Sequence, residues 1–158
     1  MAKAFKFVGA DFVKQVKKAL DDGTAQLLTN TQSKLSASSP VDTGRLASSW
    51  MVGHNSPDLS VASENIGIPA EREVIGGKSY KIEGTNKADI SVKEYSGKIT
   101  FDGDWYVSNN LPYASRAAMD PGYVGRRGGG SGDWYSQIVN QLPNDTVRIF
   151  AREFRKIK

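Results

Sequence analysis

Apolar residues recur every three or four positions between Phe12 and Leu35, which is the spacing of one face of an α-helix. The stripe consists of Phe12, Val16, Ala19, Leu20, Gly23, Leu27, Thr31 and Leu35. It stays in phase across Gly23, although a glycine inside a helix costs about 1 kcal/mol relative to alanine. The pattern therefore predicts one N-terminal helix of about 26 residues. Two helices separated at Gly23 are the main alternative.

The helical pattern stops at a turn-forming segment, which is Pro40, Val41, Asp42, Thr43, Gly44, Arg45 and Leu46. Pro40 has no N–H and disfavours the α conformation in the residue before it, so the helix must end there. Asp42 can form an Asx-turn, and Gly44 can adopt a positive φ without steric cost. The residues from about 45 to 54 then alternate, which predicts a strand after a helix-to-strand corner.

Further strands are predicted beyond an irregular segment at 55–78, which is rich in turn residues. Alternating pairs begin at Lys78, and turn residues separate one pair from the next. The pairs are Tyr80 and Ile82, Ile90 and Val92, Ile99 and Phe101, and Trp105 and Val107. We expect an antiparallel meander of three or four strands, which the N-terminal helix covers.

Short helices are predicted in the last third of the chain. Pro112 suits the first turn of a helix that runs to Met119. A second helix starts at Trp134, and a third starts at Asn144 with a buried stripe of Val147, Phe150, Ala151 and Phe154. Between the first two lies the segment 122–132, which contains six glycines and is expected to be a flexible loop.

These elements predict one α+β domain over residues 1–158, with a long N-terminal helix packed on an antiparallel β-sheet or meander and short C-terminal helices. The chain is 39% hydrophobic and contains no cysteine, which excludes disulfides, thiolate nucleophiles and Cys-ligated zinc. No apolar run approaches the ~20 residues of a membrane span, and the N-terminus has no signal-peptide core. We therefore expect no membrane partner.

No catalytic residue, metal-ligand set or cofactor motif is predicted. His54 is the only histidine and lacks partners at ligand spacing, so we expect it to be structural. The glycine-rich loop lacks the Gly-Lys-Ser/Thr ending of a phosphate-binding loop. Asp102 and Asp104 with Glu94 could be combined into the metal site of a small nuclease, but Asp102 followed by glycine is already explained as a turn.

Four residues are candidates for contact with other molecules. Arg126 and Arg127 lie in the glycine-rich loop, where they are either solvated or form an arm that orders against an acidic surface, a subunit or DNA phosphate. Tyr123 and Tyr135 flank loops and are candidate interface anchors, because aromatic residues and arginine are enriched at protein contacts. The formal charge of +4 is not clustered, so sequence-specific DNA binding is not indicated.

Two segments resemble a known protein family. A long amphipathic helix followed by Pro-Val-Asp-Thr-Gly-Arg-Leu at 40–46, and later Pro112, Tyr113 and Ala114, are similar to the neck and tail-completion proteins of long-tailed bacteriophages, of the lambda minor tail protein Z type. The resemblance covers residues 4–54 and 98–157. The segment at about 55–97 is a loop or hairpin insert that departs from the family pattern.

The resemblance implies a structural virion protein without enzymatic activity or cofactor, assembled in the host cytoplasm. It further implies a homo-oligomeric, hexameric ring at the head–tail neck or the head-proximal end of the tail, which joins or completes the tail. The expected partners are the connector, tail terminator or tail tube proteins, and DNA passes through the lumen without specific binding. The rival functions are a small metal-dependent nuclease and a free-standing DNA-binding module.

Overall fold

The computed structural model describes residues 9–40, 44–62, 74–75, 78–79, 93–120, 122–123 and 133–157. The elements are α1 (Gly9–Ser38), α2 (Arg45–Ser48), β1 (Met51–His54), β2 (Val74–Ile75), β3 (Lys78–Ser79), β4 (Trp105–Ser108), α3 (Ala114–Met119) and α4 (Trp134–Phe154). Strand β1 pairs antiparallel with β4, and β2 pairs antiparallel with β3. The predicted α+β class is confirmed.

The N-terminal helix α1 is continuous over 30 residues. The prediction of a single helix is therefore confirmed, and the alternative of two helices separated at Gly23 is wrong. Gly23 is buried against the ring of Phe150 in α4, where a Cβ atom would lie 2.7 Å from the nearest ring carbon. The close approach of the two helices at this point offsets the low helix propensity of glycine. At the other end, the Ser39 hydroxyl donates to the carbonyl of Leu35 at 2.7 Å before Pro40 ends the helix.

Helices α1 and α4 pack antiparallel, since the Lys34 ammonium meets the Asp145 carboxylate while Gly23 lies against Phe150. Helix α4 ends only four residues after Phe150, at Phe154. The eleven residues from Phe12 to Gly23 span ~16 Å, so the start of α1 extends beyond α4. Phe12 is accordingly 56% exposed, and its predicted burial is wrong.

The C-terminal helix differs from the prediction in length and in its buried side. Helix α4 is one helix of 21 residues with Pro143 inside it, where two helices were predicted. Proline removes one backbone hydrogen bond at a cost of about 3 kcal/mol, but packing along α1 stabilises the continuous helix. The buried residues are Trp134, Ile138, Asp145, Ile149 and Glu153, so the predicted stripe through Val147 is wrong.

The strand prediction after the corner is also partly wrong. Only Met51–His54 is extended, because Arg45–Ser48 forms the single helical turn α2. Gly44 has a φ of 80° and its carbonyl accepts the Ser48 N–H at 3.0 Å, which closes that turn. Ile99 and Phe101 do not form a strand. The predicted pairs at 80–82 and 90–92 lie outside the described residues.

The sheet of β1 and β4 lies between α1 and the loop that follows β1. Val107 packs against the core cluster of Leu35, Trp50, Ala118, Trp134 and Ile138 on the side of α1. On the opposite face, the Ser108 hydroxyl donates to the Asp58 carbonyl at 3.1 Å. The loop therefore covers the outer face of the sheet, and α1 covers the inner one.

Candidate functional site

The corner between α1 and β1 is built around a left-handed glycine. Gly44 precedes α2, and its φ of 80° lies in the region that side chains with a Cβ rarely adopt. After it, the Arg45 Nε donates to the Ala62 carbonyl at 3.2 Å, which ties the corner to the loop beyond β1. Pro40 is buried on the other side of the turn. Val41, Asp42 and Thr43 lie outside the described residues.

The two segments that carry the family resemblance meet in one core cluster. Leu46 from the corner packs with Leu111, Ala114 and Ala117, and all four are buried. In addition, the Asn109 side-chain amide donates to the Leu46 carbonyl at 2.8 Å across 63 residues of sequence. The structure thus joins the 40–46 and 112–114 segments into a single packing unit.

Three buried serines around the corner are used in internal hydrogen bonds. Ser39 accepts a bond from the Trp50 Nε1 at 2.8 Å, Ser48 donates to the Gly44 carbonyl at 2.9 Å, and Ser49 accepts from the Ala62 N–H at 3.0 Å. Each such bond contributes about 1 kcal/mol net. The arrangement holds α1, β1 and the following loop in one fixed geometry.

An amide side chain links this corner to a more distant part of the chain. The Gln32 Nε2 is 2.7 Å from the Trp50 carbonyl and 3.0 Å from the Lys93 carbonyl. Gln32 is itself buried, and its side-chain amide donates hydrogen bonds to both carbonyls. This satisfies the buried amide and gives two backbone acceptors a partner in place of water. The sequence pattern did not identify this role, because glutamine was outside the apolar stripe.

Aromatic rings connect the corner with the start of α4. The ring of Trp50 meets Trp134 edge-on and stacks on Tyr135, with both centroid distances at 6.3 Å. The Trp134 Nε1 donates to the Ala117 carbonyl at 3.1 Å, which adds α3 to the cluster. Tyr135, a candidate interface residue, is therefore half-buried in intramolecular contacts.

The other candidate contact residues are placed as follows. Tyr123 is half-buried and packs beside Tyr113 on the cluster that contains Leu46. Arg126 and Arg127 lie outside the described residues. Tyr123 and Tyr135 pack against different core clusters.

In the part of the chain that the structure describes, side chains that could carry chemistry do not converge on one site. The His54 ring stacks on Trp105 at 4.3 Å, and its Nε2 is 3.0 Å from the Asp102 carbonyl, so it ties the end of β1 to the 102–103 turn. Asp102 and Asp104 are exposed. Among the described residues, no group of three or more histidine, aspartate or glutamate side chains could hold a metal ion.

Charged residues of α1 line an open groove of about 590 Å³. Lys14, Lys17 and Lys18 lie in it together with Asp21 and Asp22. The carboxylate of Asp22 accepts a hydrogen bond from Lys18 and raises the pKa of that lysine. Because acidic and basic side chains share this groove, it does not present a uniformly positive surface to an anion.

Two further carboxylates are buried between the helices and are paired with cations. Asp145 contacts Lys34 of α1 and accepts a bond from Arg148 at 2.8 Å. Glu153 contacts Arg152 and Lys156. Buried acids normally persist only with such partners, and the contact between Asp145 and Lys34, which joins the two helices, fixes how α4 is rotated against α1.

Comparison with known proteins gives one family match. The family profile described as "Bacteriophage HK97-gp10, putative tail-component" matches residues 1–115. The matched part contains α1, the corner and the Pro112–Ala114 segment. No curated protein and no solved structure shows a significant match. Within the described residues, no helix is both long and apolar enough to cross a membrane.

Proposed function

Since this chain belongs to the HK97-gp10-like family of bacteriophage proteins, we propose that it forms a homo-oligomeric ring at the head–tail neck or the head-proximal end of the tail. The ring would join or complete the tail. The family match over residues 1–115 carries this proposal. The family is one of structural tail components, so the chain acts in the virion through contacts with other phage structural proteins.

The corner supports a role as a rigid frame for assembly. Its serines, Gln32 and Trp50 are engaged inside the chain, which leaves them unsuited to bind a substrate. A frame of this kind lowers the entropic cost of association, because its surfaces are already ordered. We propose a hexameric ring whose neighbours along the tail axis are the connector, the tail terminator or the tail tube.

DNA would pass through the lumen of this ring without specific binding. The formal charge of +4 is modest for the chain length. Several exposed lysines have acidic neighbours, as in Lys17 with Asp102 at 3.8 Å and Lys18 with Asp22. Paired cations release few counterions from DNA, so their affinity for the phosphate backbone is low.

The proposal further assigns contact roles to Tyr123, Arg126, Arg127 and Tyr135 at the joins between ring and neighbours. The two tyrosines lie at the border of the packed clusters, where one ring edge can face a partner. The insert at about 55–97 and the loop at 122–132 would adapt the single domain to the rings above and below.

Removing the protein from a phage that encodes it tests the proposal directly. We expect a nonsense mutation in its gene to leave filled heads and tails that are not productively joined, as seen by electron microscopy. Supplying the wild-type chain from a plasmid should restore infectious particles, and an antibody fragment against it should label one position near the head. Normal particles in the absence of the protein would refute the proposal.

A separate assay discriminates the rival functions. The purified chain is incubated with linear DNA in the presence of magnesium or manganese, and its DNA affinity is measured over a range of salt concentrations. We expect no cleavage and weak binding with a shallow salt dependence. Metal-dependent cleavage would favour a nuclease, whereas tight binding with a steep salt dependence would favour a DNA-binding module.

A further inference from the structure

Helix α4 has a second apolar side, which is exposed in the described part of the chain. Val139, Pro143, Val147 and Ala151 follow one another at four-residue intervals, and Phe154 continues the row. All five are exposed, and Val147 reaches 70%. We call this row the α4 stripe. A row of apolar side chains left open on an ordered helix is typical of a contact surface.

A second apolar surface lies on the loop that covers the outer face of the sheet. Leu59 is 66% exposed, and Val61 and Tyr106 are also exposed. Tyr106 pairs with Gly53, and paired residues lie on the same face of the sheet. A Cβ atom on Gly53 would meet the backbone of residues 56–58, so both residues lie on the outer face that the loop covers. We call Leu59, Val61 and Tyr106 the loop surface.

The loop surface is held in place before any partner binds. The Asn110 side-chain amide donates to the Leu59 carbonyl at 3.1 Å, and the Ser60 N–H donates to the Asp58 carboxylate at 2.8 Å. The Ala62 backbone is bound on both sides by Ser49 and Arg45. These bonds fix an irregular segment so that Leu59 and Val61 remain outside, which makes it a preorganised surface.

The two surfaces carry opposite charges at their borders. Arg148, Arg152 and Arg155 follow one border of the α4 stripe and are exposed. The loop surface is bordered by Asp104, which is exposed and lies directly before β4, and by the half-buried Asp58, whose carboxylate lies 4.0 Å from the Lys93 ammonium. Two α4 stripes packed antiparallel across a two-fold axis would bring arginine toward arginine. An α4 stripe placed on a loop surface brings arginine toward aspartate.

We infer that the α4 stripe of one copy packs on the loop surface of the next copy of this chain. The inference rests on the proposed ring, for which it supplies the contact. A ring needs a heterologous interface, in which two different surfaces of the same chain meet. The apolar rows with complementary charged borders meet this requirement, and the partner is therefore a second copy rather than another protein.

Cysteine trapping tests this contact cleanly, because the natural chain has no cysteine. Val147→Cys and Leu59→Cys chains are mixed in equal amounts and oxidised, both as purified protein and in assembled particles. We expect the mixture to form a covalent dimer and each variant alone to form almost none. The double variant Leu59→Cys with Val147→Cys should form a ladder of covalent oligomers.

The matched control replaces Val147→Cys with Gln137→Cys, which is also exposed on α4 but lies away from the stripe. It should not crosslink to Leu59→Cys. A dimer from Val147→Cys alone would show that α4 pairs with itself, which overturns the inference. So would the absence of a crosslink in both preparations.

Failure of the inference can be told apart from failure of the proposed ring. If labelled wild-type chain forms a ring in particles, but particles assembled from the Leu59→Cys and Val147→Cys variants yield no crosslink, this contact is refuted and the ring stays in place. If particles lack the chain altogether, the ring is refuted, and with it the basis for this contact.

Discussion

Replacing Gly23 with alanine tests the close approach of α1 and α4. A Cβ atom at this position would lie 2.7 Å from Cε1 and 2.8 Å from Cδ1 of Phe150, which real Cβ atoms essentially never do. Alanine is favoured over glycine inside a helix by about 1 kcal/mol. Forcing an extra methyl group into a filled contact costs about 1–3 kcal/mol. We therefore expect Gly23→Ala to lower the free energy of unfolding by about 1 kcal/mol.

The assay is urea denaturation followed by tryptophan fluorescence and far-ultraviolet circular dichroism, with linear extrapolation to water. The control is the same substitution in a Phe150→Ala chain, where the ring that causes the overlap is gone. There Gly23→Ala should raise the free energy of unfolding by about 1 kcal/mol, because only the helix preference remains.

The difference between the two backgrounds is the coupling between Gly23 and Phe150, which should be about 1–3 kcal/mol. Equal stabilisation of both chains by Gly23→Ala would refute the reasoning, since it would mean that the ring does not occupy this space. A destabilisation that is equal in both backgrounds would also refute it, because the cause would then lie in α1 itself.

Three further predictions concern the corner, the helix pair and the loop. Gly44→Ala should lower the free energy of unfolding by about 1–2 kcal/mol, because the φ of 80° at this position is unfavourable for residues with a Cβ atom. Urea denaturation measures this loss, and Gly44→Asn should lower the free energy of unfolding by less, because asparagine tolerates a positive φ better than alanine. Asp145→Asn should lower the free energy of unfolding by about 1–2 kcal/mol. The loss stays this small because Lys34 is 41% exposed and its ammonium can be hydrated again. The same substitution in a Lys34→Met chain should lower the free energy of unfolding by less, and an equal loss in both chains would contradict the pairing. Hydrogen bonds from Ser60 hold the pKa of the Asp58 carboxyl below its usual 3.8. The stabilisation of the loop by these bonds is therefore fully present above pH 3.8 and is lost as the pH falls through the lowered pKa. Carboxyl titration by nuclear magnetic resonance should show this, and Ser60→Ala should move the pKa upward; no movement would contradict the assignment.

The features that sequence reasoning predicted correctly are those set by local chemistry. The length of α1 follows from a periodic stripe and a proline that cannot continue it, and both act on neighbouring residues. The resemblance to a phage family rested on the ordered sequence around 40–46 and 112–114, and the family match confirmed it. What the pattern could not show is that these two segments share one core cluster, because their contact spans 63 residues.

The errors arose where local preference and tertiary packing conflict. Helix α4 has two apolar sides, and periodicity alone favoured the one with Val147 and Phe154. The structure buries the other side, with Asp145, because Lys34 of α1 compensates that carboxylate. In the same way, Pro143 stays inside α4 because contacts along α1 outweigh one missing hydrogen bond. The sequence by itself therefore determined the single long helix α1 and the family to which the chain belongs, whereas only the tertiary structure decided which sides face inward, since burial depends on partners that are distant in the chain.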